Sequence, residues 1–170
     1  MAVKTDFPKR AFFVVFFILG AVIGCTQLFA PIHELAHVYV AQNNGVAQAS
    51  VTGWASASMS RLDRPAILSG WTMQVILFSI MAIILAIVSP KSTWTTGGFW
   101  YGAAVVHWIR AYGSTDFNSA LLQSFTDQGT PEYYTSYRSG LVSSWSIMGI
   151  VIFLIVGLVI LARIKGKAPA

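Results

Sequence analysis

The chain has 170 residues, a length expected of one domain, and a formal net charge of +5 at pH 7. Hydrophobic residues make up 55% of the sequence and charged residues 10%, against about 25% charged residues in an average soluble domain. This composition excludes an ordinary soluble domain. It indicates a multi-pass integral membrane protein, which we expect to form a single domain over residues 1–170.

Four apolar stretches are long enough, or nearly so, to cross a hydrocarbon core about 30 Å thick. They lie near residues 11–42, 66–89, 97–122 and 141–162. The first runs through Pro31, whose ring should kink or interrupt the helix because it displaces the Gln27 carbonyl. The sequence therefore predicts an all-α membrane protein, a bundle of about four transmembrane helices.

The first stretch also resembles a bacterial lipoprotein signal peptide. Basic residues and an apolar run precede Val22-Ile23-Gly24-Cys25, and such a signal would be cut before the cysteine. We interpret the stretch as a retained first span. Cys25 is the only cysteine, so it forms no disulfide within the chain.

The segment between the first two spans differs from them in composition. Asn43-Asn44-Gly45 is typical of a helix stop in which glycine supplies the left-handed cap. Residues 46–59 are rich in Val, Thr, Ser, Ala and Gly without a helical period. We expect one or two short strands there, forming a β-hairpin-like segment at the membrane boundary.

Basic residues are unevenly divided between the two sides of the predicted bundle. The two terminal segments and the middle loop hold seven of them and the other two loops hold four: Lys4, Lys9, Arg10, Lys91, Arg163, Lys165 and Lys167, against Arg61, Arg64, Arg110 and Arg138. The positive-inside rule then predicts that both termini are cytoplasmic. Anionic lipid headgroups account for the basic excess, and we expect no nucleic-acid partner.

The motif that carries chemistry is His33-Glu34-Leu35-Ala36-His37. On an α-helix, residues four apart lie on one face about 40° apart, so the two imidazoles converge on one point. Two histidines and a flanking carboxylate are what a catalytic zinc site needs, with Glu34 as the base that deprotonates water. The alternative is a pair of interfacial histidines with an outward-reaching glutamate.

This motif, followed by a strand-like run that reaches Gly53, resembles the first block of the site-2 proteases. Those are intramembrane zinc metalloproteases whose metal motif lies in a membrane helix followed by a β-hairpin. The second span has Gly70 where the family's Gly-Pro-x-x-Asn helix has glycine, but Trp71 replaces the proline and Gln74 the asparagine. The resemblance covers about residues 20–122 and implies a zinc endopeptidase acting on a membrane-anchored peptide or protein.

The third zinc ligand has two candidates, because a catalytic zinc takes three protein ligands and leaves one position open. In the family the third ligand is an aspartate in an Asn-Pro…Leu-Asp-Gly block, and Asp116 lies in the matching part of the chain without those neighbours. His107 is the other candidate. On one continuous helix the two would point to opposite faces, although Gly113-Ser114 can break that helix. We favour Asp116, with an ion pair to Arg110 as its alternative role.

Two functions are consistent with these residues. The first is an intramembrane zinc metalloprotease in which His33, His37 and Asp116 hold Zn²⁺ and Glu34 is catalytic. The alternative is a catalytically inactive scaffold of the same kind that packs with other membrane subunits in a larger complex. A metal-binding or transport protein that uses the same histidines is a third interpretation. For Gln74 we weigh a hydrogen bond to a substrate carbonyl against a plain helix–helix hydrogen bond.

Overall fold

The computed structural model of the chain describes residues 7–60, 63–88, 92–120 and 131–165. These residues are mostly helical, with one antiparallel sheet of two strands. The elements in order are α1 (Phe7–Gly24), a 3₁₀ turn (Gln27–Phe29), α2 (Ala30–Asn43), β1 (Ala49–Gly53), β2 (Ser56–Met59), α3 (Arg64–Val88), a 3₁₀ turn (Ser92–Trp94), α4 (Thr96–Ala111), α5 (residues 115–120) and α6 (Pro131–Lys165).

Among the described helices, α3 and α6 are each long and apolar enough to cross a membrane. A third span is obtained if residues Lys9–Gly24 and Gln27–Asn43 are counted together as one broken span. Helix α4 has 16 residues, fewer than the roughly 20 of a full crossing. The structure thus agrees with a membrane protein of two or three such spans, and the fourth span stays a prediction.

The first predicted span is interrupted, as Pro31 suggested, but the break lies before the proline. Helix α1 ends at Gly24, and α2 begins at Ala30 with Pro31 in its first turn. A proline there costs no hydrogen bond, since the first N–H groups of a helix have no intrahelical acceptor. Pro31 therefore starts a new helix, and His33 and His37 on it are buried in the protein.

The predicted helix stop and hairpin are both confirmed. Gly45 has φ +76°, and the amides of Gly45 and Val46 bond back to Gln42 and Ala41 at 3.0 and 2.9 Å, which is the Schellman arrangement. Strands β1 and β2 then pair antiparallel. Their hairpin packs on α2 through a small core of Ala41, Val46, Ala49 and Ala66.

Contacts between Cα atoms divide the chain into two compact units. The first unit is Met1–Thr26, Val75–Val106 and Val151–Ala170, and the second is Gln27–Gln74 and His107–Ile150. In the first unit α1 and α4 touch backbone to backbone. A Cβ at Gly20 would overlap the Phe99 carbonyl, and one at Gly102 would overlap the Phe17 carbonyl. Glycine allows this close approach because it has no side chain. In a membrane, helices associate through such van der Waals contacts, since apolar side chains gain nothing by leaving lipid.

We predict that Gly102→Val destabilises the protein by about 1–3 kcal/mol, because the added carbons meet the α1 backbone, which cannot rotate away. Thermal unfolding in detergent micelles measures the effect. The matched control is Gly157→Ala in the same unit, where a Cβ would have only the Tyr101 hydroxyl at 3.8 Å. Equal melting of the Gly102 variant and the wild type would contradict the close α1–α4 contact.

Candidate metal centre

The two motif histidines lie one turn apart on α2 with their rings in contact. Their ring centroids are 4.5 Å apart and their planes are nearly perpendicular. Both side chains are buried, and Glu34 between them is half-buried. The helix thus presents both imidazoles to the protein interior, while Glu34 is partly exposed.

Asp116 approaches this pair from the other chain segment of the second unit. Its Oδ2 lies 2.9 Å from His33 Nε2 and 3.8 Å from His37 Nε2. The carboxylate side chain is 27% exposed, so the site opens on the aspartate side. Among the described residues, the basic side chains within 4 Å of this carboxylate are the two histidines, and the Arg110 guanidinium lies near the Trp71 ring.

A break in the third apolar stretch, between α4 and α5, gives Asp116 this position. Helix α4 ends at Ala111, and the Ser114 hydroxyl donates to the Ala111 carbonyl at 2.7 Å. The same hydroxyl accepts the Phe117 amide at 3.1 Å, the bond of an N-cap serine to the third residue of its helix. Ser114 thereby ends one helix and starts α5, which carries Asp116 in its first turn. The helix break thus lies at Gly113-Ser114, where the sequence analysis allowed one.

The described residues contain one group of three metal-type ligands, formed by His33, His37 and Asp116, whose ligand atoms all lie within 4.8 Å of one another. His107, the other candidate, is not in the group. It is buried, and its ring lies 6.2 Å from that of Phe29 and 5.9 Å from that of Trp71. The structure therefore brings together the three residues that we favoured.

Helix α3 fixes the proton on the outer nitrogen of both imidazoles. His37 Nδ1 lies 2.6 Å from the Ala66 carbonyl oxygen, which can only accept, so Nδ1 is the donor. His33 Nδ1 lies 3.1 Å from Gln74 Oε1. The Gln74 amide nitrogen donates to the Phe29 carbonyl at 2.8 Å, which orients the amide and makes His33 Nδ1 the donor as well. In the neutral rings, both Nε2 lone pairs then face Asp116.

The Ala66 acceptor is held in place by a cap at the start of α3. Asp63 Oδ2 accepts the Ala66 amide at 3.1 Å and the Asn44 side-chain amide at 2.7 Å. The aspartate thus caps α3 and ties it to the end of α2. Neither this cap nor the contact to His37 was anticipated from the sequence, although Asp63 before Arg64-Pro65 is a recognisable helix-start signal.

Both ends of the Gln74 side-chain amide are hydrogen-bonded within the protein. The nitrogen donates to the Phe29 carbonyl, and the oxygen accepts from His33. This is the helix–helix hydrogen bond, one of the two roles weighed for the residue. Its effect is to orient a histidine of the site. Outer hydrogen bonds of this kind are typical of histidines that bind metals, since they fix both the tautomer and the ring direction.

Trp71 is a member of the site that sequence reasoning missed. Its indole N–H donates to Asp116 Oδ2 at 2.8 Å, and its ring lies 4.8 Å from that of His33. The Arg110 guanidinium carbon lies 5.9 Å from the indole centroid, within range of a cation–π contact. The only signal in the sequence was that tryptophan stands where the resembled family has proline.

Gly70 is required by the closeness of α3 to His33. A Cβ on this residue would lie 2.6 Å from the His33 ring atoms Cε1 and Nε2. The imidazole also contacts Gln74 through Nδ1 and Asp116 through Nε2, so it has little freedom to move. Glycine at this position is therefore a packing requirement of the site.

The donor set fits a zinc ion. Tetrahedral zinc with bonds of about 2.0–2.2 Å separates its ligand atoms by about 3.4 Å, and the distances from Oδ2 to the two Nε2 atoms, 2.9 and 3.8 Å, bracket that value. Two imidazoles and one carboxylate are also the ligand classes of catalytic zinc sites. A zinc ion here would have three protein ligands and room on the exposed aspartate side.

Comparisons with protein-family models, with curated proteins and with solved structures found no match for this chain.

We predict that Gly70→Ala lowers the thermal stability by about 1–3 kcal/mol, because the methyl group displaces the His33 ring and with it the hydrogen bond of Nδ1 to Gln74 and the contact of Nε2 with Asp116. Differential scanning fluorimetry in detergent gives the change. Gly140→Ala is the control in the same unit, since a Cβ there meets nothing within 4 Å. A Gly70 variant as stable as the control would show that His33 is not packed against α3.

Proposed function

We propose that this protein is an intramembrane zinc metalloprotease that hydrolyses a peptide bond of a membrane-anchored substrate. The observation that carries the proposal is the convergence of three acceptor atoms, two Nε2 and one Oδ2, with both Nδ1 atoms committed to oxygen acceptors. Acceptors facing one another in a buried site call for a cation between them. The resemblance around His33–His37 to the site-2 proteases agrees with this assignment.

In this proposal His33, His37 and Asp116 hold the zinc. A bound zinc ion supplies Lewis acidity, which polarises the scissile carbonyl and lowers the pKa of water. Glu34, which is half-buried and lies next to His33 in the chain, accepts a proton from the attacking water and returns it to the leaving amine. Gln74 and Ala66 keep the imidazoles oriented, and Trp71 keeps the carboxylate in place.

The hairpin suits the proposed substrate. A peptide bond inside a membrane helix is already hydrogen-bonded, so the substrate must be offered to the site as unwound or extended chain. Strands β1 and β2 form a sheet of two strands whose outer edges have no partner strand among the described residues. Residues 50–53 of β1 are also exposed. An extended substrate segment can add to such an edge through main-chain hydrogen bonds.

For the membrane topology we propose four passes with both termini in the cytoplasm. The broken pair α1–α2, α3 and α6 supply three passes. The fourth is the stretch of α4 and α5, in which the 16-residue α4 is extended by the turn that carries Asp116. The distribution of basic residues sets the orientation.

One observation favours the alternative of an inactive scaffold that assembles with other membrane subunits. His33 Nε2 lies within hydrogen-bond distance of Asp116 Oδ2, and the Trp71 N–H binds the same oxygen. With a second proton on His33, these contacts form a complete hydrogen-bonded ion pair without a metal. Metal analysis of the purified protein separates the two functions, because the protease requires stoichiometric zinc and the scaffold does not.

We predict that Glu34→Gln retains zinc but lowers peptide cleavage by about 10²–10⁴-fold, since the amide keeps the shape of the side chain and removes the base. His37→Ala should lose the zinc as well. Cleavage is measured by mass spectrometry on membrane-anchored reporter peptides in vesicles, and zinc by elemental analysis. Wild-type cleavage by the Glu34 variant would overturn the proposed mechanism, and zinc-free wild-type protein would overturn the proposed metal centre.

We further predict that Trp71→Phe weakens zinc binding by about 10–100-fold, the usual effect of removing a hydrogen bond to a metal ligand. Phenylalanine keeps a ring beside His33 but cannot donate to Asp116. The affinity is measured by competition with a chromophoric chelator. Trp54→Phe is the control, because Trp54 donates to Gln27 at 2.8 Å, away from the three ligands. Equal affinities for both variants would exclude a role of the indole N–H.

A further inference from the structure

The first unit contains a cavity of about 450 Å³ that takes no part in the metal centre. Its size falls within the range of about 300–1,000 Å³ typical of ligand pockets. We call it the groove and define it by six of its lining residues. These are Arg10, Phe13, Trp94, Tyr101, Gly157 and Leu161. Its walls are almost entirely apolar, and Arg10 is the one charged residue among the described residues that line it.

The apolar character of the groove extends to its tyrosine. The Tyr101 hydroxyl lies 3.4 Å from the Phe153 carbonyl, to which it donates, and the Tyr101 ring packs edge-on against Phe17 and Phe153. The hydroxyl of Tyr101 is thus directed to a backbone acceptor, and the Tyr101 ring forms part of the apolar wall of the groove. As far as its described residues show, the groove therefore combines the Arg10 guanidinium with an apolar interior.

The charge of the first unit calls for an external anion. Its three segments contain seven basic residues and a single acidic residue, Asp6. One carboxylate neutralises one of the seven, so the unit carries a large excess of positive charge. A second copy of this chain would bring the same excess, and the repulsion disfavours it as an occupant of the groove.

We propose that the groove binds one anionic phospholipid, with its phosphate against the Arg10 guanidinium and an acyl chain along the apolar walls. A guanidinium binds a phosphate through two parallel N–H donors. Trp94, at the same cavity, is of the residue type that anchors at the boundary between headgroups and hydrocarbon. Anionic lipids are also the component of the cytoplasmic leaflet that basic juxtamembrane residues attract.

The test uses the full-length protein in nanodiscs that contain equimolar phosphatidylglycerol and phosphatidylcholine, with retained lipid counted by native mass spectrometry. We expect one phosphatidylglycerol molecule to be retained in preference to phosphatidylcholine. Arg10→Gln should lower this preference about fivefold, the effect of one basic group near an anionic surface. Lys9→Gln is the control, since it removes the same charge from the neighbouring residue, which does not line the groove.

A second variant tests the acyl site separately from the charge. A Cβ at Gly157 meets only the Tyr101 hydroxyl at 3.8 Å, so Gly157→Leu projects into the groove. This variant should retain less of either lipid while its circular dichroism spectrum stays that of the wild type.

Four results would overturn the proposal. The first is an equal loss of preference in the Lys9 and Arg10 variants, which would indicate a diffuse charge effect. The second is unchanged lipid retention by the Gly157 variant. The third is displacement of the bound mass by inorganic phosphate alone, and the fourth is a dimer of the chain without lipid.

Discussion

The geometry of the candidate metal centre depends on one constraint. The Nδ1 atoms of both histidines donate hydrogen bonds to oxygen acceptors on α3. The Ala66 carbonyl accepts a hydrogen bond from Nδ1–H of His37, and the Gln74 side-chain oxygen accepts one from Nδ1–H of His33. Once these bonds are made, each ring can turn only its Nε2 toward the interior of the site. Asp116 meets both of these atoms. The direction of the lone pairs, which decides what the site can bind, is therefore a property of α3 more than of the helix that carries the histidines.

The polar groups of the site are held by bonds that leave few of them unsatisfied, as burial requires. Gln74 uses both ends of its amide, and Asp63 caps α3 while it accepts from Asn44. Trp71 supplies a donor to the carboxylate that the histidines face. In a bilayer such groups are costly and are retained where they have partners or a function. With neutral rings, the two Nε2 atoms and the carboxylate oxygen are all acceptors, and this arrangement is the basis of the proposed metal centre.

Two means of holding helices together are found in this chain. In the first, glycines at 20 and 102 let α1 and α4 approach until their backbones touch. In the second, polar contacts join the helices: the indole N–H groups of Trp108 and Trp145 each donate to the other residue's carbonyl at 3.1 Å, and the Tyr112 and Ser146 hydroxyls lie 2.7 Å apart. Both devices suit a membrane, where apolar side chains gain nothing from leaving lipid for one another.

The sequence by itself determined the features that depend on neighbouring residues. The helical spacing of His33 and His37, the left-handed glycine at position 45, the hairpin and the two longest spans all follow from local periodicity and turn chemistry. It did not determine that the first break precedes Pro31, because a proline in the first turn and a proline at a kink have the same local signature.

Tertiary structure alone brought Asp116 to the two histidines, placed the Trp71 indole on its carboxylate and directed the Gln74 amide to His33. These contacts join residues 41 to 83 positions apart in the chain. Only helix packing brings such residues together, and the periodicity of one segment says nothing about which residue of another segment faces it.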